Sequence, residues 1–263
     1  MIEPDVPQRR RRGIYILPNL FTTATLFGGF YAVIAALNGD FTAAAIAVAV
    51  AMVADSLDGT IARLTGTASD FGKEYDSLCD MVAFGLAASV VVYTFSLQYL
   101  AEYKWLGGKL GWVTAFAYTA CAALRLARFN VLATRGEAKG AFFGLPSPAA
   151  AALVIGFVWA THDLNIKGRV LVVPALVITW AAALLMVSNF RFMSLKQLRI
   201  AEHVPFRYLL LFMGVFALFL LDPPRIFFLV FLVYAGSGPV MAIYRRTRRP
   251  VVAETATREP PAL

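Results

Sequence analysis

Apolar residues run along this chain in long blocks. Phe41–Ala54, Val82–Leu97, Val170–Val187 and Ile226–Ile243 carry few or no charges, over lengths that approach the roughly 20 residues a helix needs to cross a bilayer. In hydrocarbon a backbone has to satisfy its own hydrogen bonds, so such blocks are expected to be helices. The pattern predicts eight spans: Pro18–Leu37, Phe41–Arg63, Glu74–Leu100, Leu110–Val131, Ser147–Thr161, Val170–Ser188, Phe206–Leu221 and Ile226–Tyr244. The fifth is short and the fourth ends in two arginines. The expected fold class is an all-α, polytopic transmembrane helical bundle. One membrane domain, residues 18–244, is expected between a basic cytoplasmic segment (1–17) and a basic tail (245–263). Both ends are rich in Pro and charge, a composition that favours disorder.

Composition supports the pattern. Hydrophobic residues make up 59% of the 263 and the mean hydropathy is +0.68, against about 45–50% apolar content in soluble domains. Of the 24 Lys and Arg, nineteen fall on one side of the predicted membrane. The other five, Lys104, Lys109, Lys167, Arg169 and Arg225, fall on the opposite side. The positive-inside tendency then places both termini in the cytoplasm. The net charge of +8 is spread along one membrane face, which suits anionic lipid headgroups and argues against a nucleic-acid partner, for which no module is recognisable. The first span follows an arginine cluster but is longer than a signal-peptide core, and is expected to be retained. Cys79 and Cys121 both fall within spans and suggest no disulfide framework. His162 and His203 lie outside any cluster. Trp105, Trp112, Trp159 and Trp180 suit lipid contact or interfacial belts.

The candidate chemistry lies in residues 55–80, DSLDGTIARLTGTASDFGKEYDSLCD, where four aspartates flank the turn between the second and third spans. Carboxylates at membrane depth are expensive and usually mark a function. Asp55 and Asp58 are three apart and Asp76 and Asp80 four apart, so each pair shares a face of its own helix. A helix hairpin brings the pairs together, and four converging carboxylates repel unless protonated or neutralised. All-oxygen ligation suits Mg²⁺ or Mn²⁺, and four carboxylates are enough for two ions. Gly59 and Ala62 leave a bare patch beside Asp58, and Gly72 does the same on the third span. Packing between helices is the competing use for such small residues. Arg63 closes the second span, where it meets either a phosphate or the membrane interface.

This run resembles the signature of the CDP-alcohol phosphatidyltransferase family, Asp-x2-Asp-Gly-x2-Ala-Arg-x8-Gly-x3-Asp-x3-Asp. Asp55, Asp58, Gly59, Ala62, Arg63, Gly72, Asp76 and Asp80 fill it without departure. With residue frequencies of about 7% at most, eight such matches arise by chance at below about 10⁻⁸ per start point. The resemblance implies a six-helix catalytic core in which Asp55, Asp58 and Asp76 hold two metal ions against the pyrophosphate of a CDP-lipid. Asp80, also near the metals, takes the proton of the attacking alcohol. Gly59 and Ala62 make room for the nucleotide, and a homodimer in the bacterial inner membrane, with its active site facing the cytoplasm, is expected.

The core signature does not distinguish acceptor alcohols. ACAALRLARFNV at 120–131, FFGLPSPAAA at 142–151 and MVSNFRFMSLK at 186–196 resemble the bacterial serine-accepting branch, which implies CDP-diacylglycerol and serine as substrates. Serine carries a carboxylate that wants a guanidinium fork. Arg125 and Arg128 at the end of the fourth span and Arg191 after the sixth are the candidates, unless they only anchor helix ends. Pro146 and Pro148 force an extended turn that presents Ser147 to the pocket or uses it as a helix N-cap, the cap being the favoured reading. Asn19 and Thr22, one turn apart on the first span, face the nucleotide or the hairpin, unless they cap the helix after Pro18. Glycerol 3-phosphate is the competing acceptor. A cation or proton transporter is the competing class, and it predicts polar residues continuing across the membrane, whereas here they cluster at one end.

Overall fold

The computed structural model describes residues 16–65, 69–102, 107–134, 142–192 and 206–247. Helices form at all eight predicted places. They are α1 (Ile16–Leu37), α2 (Phe41–Thr65), α3 (Asp70–Asp80) continuing through a π-helical turn (Met81–Leu86) into α4 (Ala87–Phe95), α5 (Gly107–Thr134), α6 (Ser147–Asp163), α7 (Val172–Val187), α8 (Phe206–Leu221) and α9 (Pro223–Thr247). Six helical segments are long and apolar enough to cross a membrane: Asn19–Leu37, Phe41–Ala62, Asp70–Phe95, Lys109–Leu132, Gly168–Val187 and Pro223–Ala242. The chain is therefore an integral membrane protein built as a helical bundle. At 17 and 16 residues, α6 and α8 are shorter than these six.

Helix α6 is the centre of the bundle. Ser147 and every residue from Ala149 to Ala160 are buried, packed among α2, α4, α7 and α9. The run Ala149–Ala152 keeps one end of it narrow enough for neighbouring helices to approach closely. Outward faces carry Phe27, Phe30, Val50, Val53, Val173 and Leu184, all exposed, as expected where lipid is the solvent. Two tryptophans do not follow the belt expectation. Trp159 is 9% exposed beside Phe227, and the Trp180 indole donates to the Thr114 hydroxyl at 3.1 Å, because an N–H facing the bundle needs a partner. Cys79 is buried and Cys121 half-buried, both as free thiols.

Three local departures from the sequence pattern have physical causes. The third helix starts earlier than Glu74, because the Ser69 hydroxyl accepts the Gly72 N–H at 3.0 Å and caps it. It ends at Phe95 instead of Leu100, with a 3₁₀ turn (Leu97–Glu102) following Ser96, whose hydroxyl donates to the Gly168 carbonyl at 2.7 Å. Finally, the all-α expectation misses a two-residue antiparallel pair in which Phe142 faces Phe192 and Phe143 faces Arg191. Gly144 sets this pair up with φ +81°, and its N–H donates to the Phe190 carbonyl at 2.9 Å. A Cβ at Gly144 would overlap the Met186 carbonyl, so the left-handed glycine is required twice over.

Close approach of α1 to its neighbours also depends on glycine. A Cβ on Gly28 would stand 2.9 Å from the Ala47 carbonyl of α2, and one on Gly29 only 2.5 Å from the Ala83 Cα in the π turn. Gly29→Ala is expected to separate α1 from the π turn and destabilise the bundle by about 1–3 kcal/mol. Gly236→Ala, with nothing within 4 Å of the new Cβ, is expected to be neutral or mildly stabilising. Thermal unfolding of the two variants in detergent checks the contrast.

Candidate metal centre

The two acidic pairs meet as their spacing requires. Asp55 and Asp58 come from α2 and Asp76 and Asp80 from α3. One carboxylate oxygen from each of Asp55, Asp76 and Asp80 lies within 4.8 Å of the others. Asp58 is 4% exposed and stands beside Asp76, accepting the Thr22 hydroxyl at 2.9 Å. The Oδ1 atoms of Asp76 and Asp80 are buried and have no hydrogen-bond partner among the described residues. Like charges this close, with buried oxygens unsatisfied, are costly unless a cation or protons balance them. Converging carboxylate oxygens are the donor set of a hard divalent ion, so the residues present fit one, held by Asp55, Asp76 and Asp80 with Asp58 adjoining.

Helix α1 clamps the acidic hairpin. Thr22 reaches Asp58, and the Thr23 hydroxyl shares a 3.0 Å hydrogen bond with the Tyr75 hydroxyl. The Asn19 Oδ1 faces the start of α3, 3.8 Å from where a Gly72 Cβ would sit. Asn19 and Thr22 therefore face the hairpin and do not cap α1, which begins upstream at Ile16. A Cβ at Gly72 would also press on the capping Ser69 Oγ at 3.1 Å. Gly59 and Ala62 are half-buried on α2, past Asp58. Arg63 lies on the same helix, its side chain outside the described ones.

The sequence reading missed the π turn, which begins immediately after Asp80. A π insertion offsets the helix register, so Asp76 and Asp80 face α2 while Ala83 and Ala87 turn into the core. Tyr118 of α5, fully buried, donates its hydroxyl to the Phe84 carbonyl in this turn at 3.1 Å. A tyrosine buried in an apolar helix must find such an acceptor, and that was the available sequence signal.

Of the three candidate arginines, Arg125 belongs to the site. It points from α5 toward Asp80 and Asp55, with Tyr118 and Tyr234 nearby, and its guanidinium donates to the Ser147 hydroxyl. Ser147 therefore does not cap α6. Pro146 occupies the cap position without a side-chain bond, and Ser147, fully buried, is the first helical residue. Arg128 turns outward and donates to the Asn189 Oδ1 at 2.8 Å. Arg191 contributes its backbone to the short strand pair, and its side chain is outside the described ones. Two further groups went unpredicted: Tyr234 of α9, and Asn130, whose amide donates to the Ser77 hydroxyl at 3.0 Å and ties α5 to α3.

Residues 15–187, which include α1 to α7, match the family model described as CDP-alcohol phosphatidyltransferase. The chain is 35% identical over 189 residues to the CDP-diacylglycerol–serine O-phosphatidyltransferase of Helicobacter pylori (strain ATCC 700392 / 26695), covering 71% of this chain and 75% of that protein. It is 38% identical over 152 residues to the protein of the same name from Mycobacterium leprae, covering 56% of this chain and 48% of that one. It is also 34% identical over 143 residues to the archaetidylserine synthase of Methanothermobacter thermautotrophicus, covering 54% and 57% respectively.

Removing one ligand oxygen from the cluster is expected to weaken divalent-ion binding more than tenfold. Removing the Thr22 hydroxyl that orients Asp58 should weaken it by about tenfold, as is common for outer hydrogen-bond partners. Titration of Mn²⁺ into purified protein, followed by calorimetry, checks this with Asp76→Asn and Thr22→Val. Asp70→Asn serves as the control, since Asp70 is exposed and pairs with Lys73 on the surface of α3.

Proposed function

The chain belongs to the CDP-alcohol phosphatidyltransferase family, and we propose that it transfers the phosphatidyl group of CDP-diacylglycerol to the hydroxyl of serine, releasing CMP. The names of its relatives support serine as acceptor, and one observation carries the reading in this chain. Arg125 stands beside Asp80 and Asp55 and is held there by Ser147. In serine only two carbons separate the hydroxyl from the carboxylate, so a cation that receives the carboxylate must stand next to the group that receives the hydroxyl proton. Arg125 meets that requirement. Arg128, engaged with Asn189 at the exposed surface, does not.

In this reading serine binds with its carboxylate on the Arg125 guanidinium and its hydroxyl against Asp80. The serine oxygen forms a bond to the phosphorus of the phosphatidyl group while the bond from that phosphorus to the CMP oxygen breaks. The hydroxyl proton passes to the Asp80 carboxylate. A carboxylate is a weak base for an alcohol, and it suffices because proton transfer comes late, as the phosphorus–oxygen bond forms. Asp55, Asp58, Asp76 and Asp80 would hold Mg²⁺ or Mn²⁺, two ions in all, which when bound supply positive charge to the phosphoryl oxygens and the departing CMP. Asn19, Thr22 and Gly72 shape one wall of the donor site. Gly59 and Ala62 leave room for the nucleotide, and Arg63, next along the same helix, meets a phosphate in this reading.

The charge count of the sequence supports an active site and both termini on the cytoplasmic side of a bacterial inner membrane. Our reading keeps eight spans, with α6 and α8 crossing although shorter than the rest, six helices around the acidic site forming the catalytic core, and a homodimer as the assembly. The domain extends over residues 18–244, with basic segments at 1–17 and 245–263.

CMP release from CDP-diacylglycerol by the detergent-purified protein with Mn²⁺ or Mg²⁺ tests the proposal against serine, glycerol 3-phosphate, inositol phosphate and choline. Serine-dependent release is expected, falling by about 10²–10⁴-fold in Asp80→Asn. Arg125→Lys should raise the KM for serine at least about tenfold with little change in the KM for CDP-diacylglycerol. Turnover with glycerol 3-phosphate in place of serine would overturn the acceptor, and no CMP with any acceptor from folded, metal-loaded protein would return the transporter to consideration.

A further inference from the structure

A cavity lies at the opposite end of the bundle from the aspartates. It has a volume of about 760 Å³, within the range of ligand sites. Phe41 in its wall is fourteen residues from Asp55 along α2, about 20 Å at the helical rise, and His162 is similarly far from Ser147 along α6. Between the two ends the core is closed by Ala44, Val48, Ala87, Val91 and Val154, all fully buried. The cavity is therefore no extension of the site described above.

Its walls are fixed by packing and hydrogen bonds. The floor is aromatic: Phe41 lies edge-on to Phe95 with ring centroids 4.9 Å apart and to His162 at 5.4 Å. Two turns form the rim, Leu97–Glu102 after α4 and the segment from Asn165 to Leu171 after α6. They are tied by the buried bond from the Ser96 hydroxyl to the Gly168 carbonyl and by the Arg169–Glu102 ion pair at 2.6 Å. Gly168 has no room for a Cβ against the Phe95 carbonyl, so the turns cannot be spaced further apart without breaking the wall.

Two cations, Lys167 and Arg169, line the cavity with the polar side chains of Thr94, Gln98, Tyr99, His162 and Asn165, and the Gln98 amide and Thr94 hydroxyl already donate to the Thr94 and Val90 carbonyls. No carboxylate is among the lining residues. The nearby acids are engaged elsewhere, Glu102 with Arg169, Asp163 with Arg225, and Asp40 as an acceptor for the Ala43 N–H. The helix C-termini that end here would attract cations, but turn amides already cap them. Asp40 N–H donates to the Ala35 carbonyl, Asn165 N–H to the His162 carbonyl and Ile166 N–H to the Thr161 carbonyl. What remains is a cationic rim over an aromatic floor. Leu37 and Ile166 at its edge are exposed, and Leu37 continues an outward apolar stripe of α1 through Ile34, Phe30 and Phe27.

We propose that this cavity binds the phosphodiester headgroup of an anionic phospholipid from the leaflet opposite the active site. The phosphate sits on Lys167 and the outer face of the Arg169 guanidinium, and one acyl chain follows the α1 stripe. An inorganic phosphate would meet the same cations but could not use the stripe.

Native mass spectrometry of the purified full chain with added dioleoyl phosphatidylglycerol tests this. Parallel samples contain inorganic phosphate with and without the lipid. Lys167→Glu is expected to lower lipid occupancy by about tenfold while CMP release at the aspartate end is unchanged. Lys109→Glu, on the same membrane side but outside the cavity, is expected to keep wild-type occupancy. Equal occupancy in all three proteins, or an equal loss in Lys109→Glu, overturns the site. Displacement of the lipid by millimolar inorganic phosphate overturns the lipid as occupant and makes this a free-anion site.

Discussion

Mutual repulsion of four carboxylates at the end of an apolar bundle is the constraint on which the rest of this structure depends. Asp55, Asp58, Asp76 and Asp80 are forced together by the α2–α3 hairpin, and two of their oxygens are buried with no hydrogen-bond partner among the described residues. In a medium of low dielectric such an arrangement persists only if the scaffold resists spreading and a cation or protons offset the charge. The scaffold does so from several sides. Thr22 and Thr23 of α1 hold Asp58 and Tyr75, Asn130 of α5 holds Ser77, and Gly28 and Gly29 let α1 come close enough for its hydroxyls to reach.

The same constraint explains why the chemistry is concentrated at one end. Among the described residues the middle of the bundle is filled mainly by apolar side chains on α1, α2, α4 and α6, which form no continuous polar path between its two ends. A transporter would need one, whereas an enzyme acting on a lipid headgroup needs only an acidic end at interface depth. Arg125 belongs with this arrangement, because a cation near Asp80 and Asp55 softens the repulsion among the carboxylates. The π turn and Tyr118 belong with it too, since they set the register in which Asp80 leaves the hairpin and the apolar part of the helix begins.

Eight helical segments, the acidic hairpin and its fit to divalent ions were legible in the chain because each rests on local spacing. Apolar block length decides where a helix can lie in lipid, and separations of three or four residues decide which side chains share a face. The eight positions of the family signature lie on α2 and α3, so their convergence needed only the assumption of a hairpin. Helix ends were read less well. Ser69 moved the start of α3, Ser96 moved the end of α4, and Gly144 turned a supposed loop into a strand pair, each through a single hydrogen bond or dihedral that apolar periodicity does not record.

Sequence by itself therefore determined the class of the fold, the aspartates and the kind of ion they suit, because those follow from composition and from neighbours along one helix. Only the tertiary structure decided which arginine faces the aspartates, that Ser147 holds it instead of capping α6, that Trp159 is buried in the bundle while the Trp180 indole reaches Thr114, and that Tyr234 of α9 comes near Arg125. Those outcomes depend on how helices far apart in the chain rotate about their own axes when packed. That rotation is set by the small residues at their contacts, and it is a property of pairs of helices, absent from either one alone.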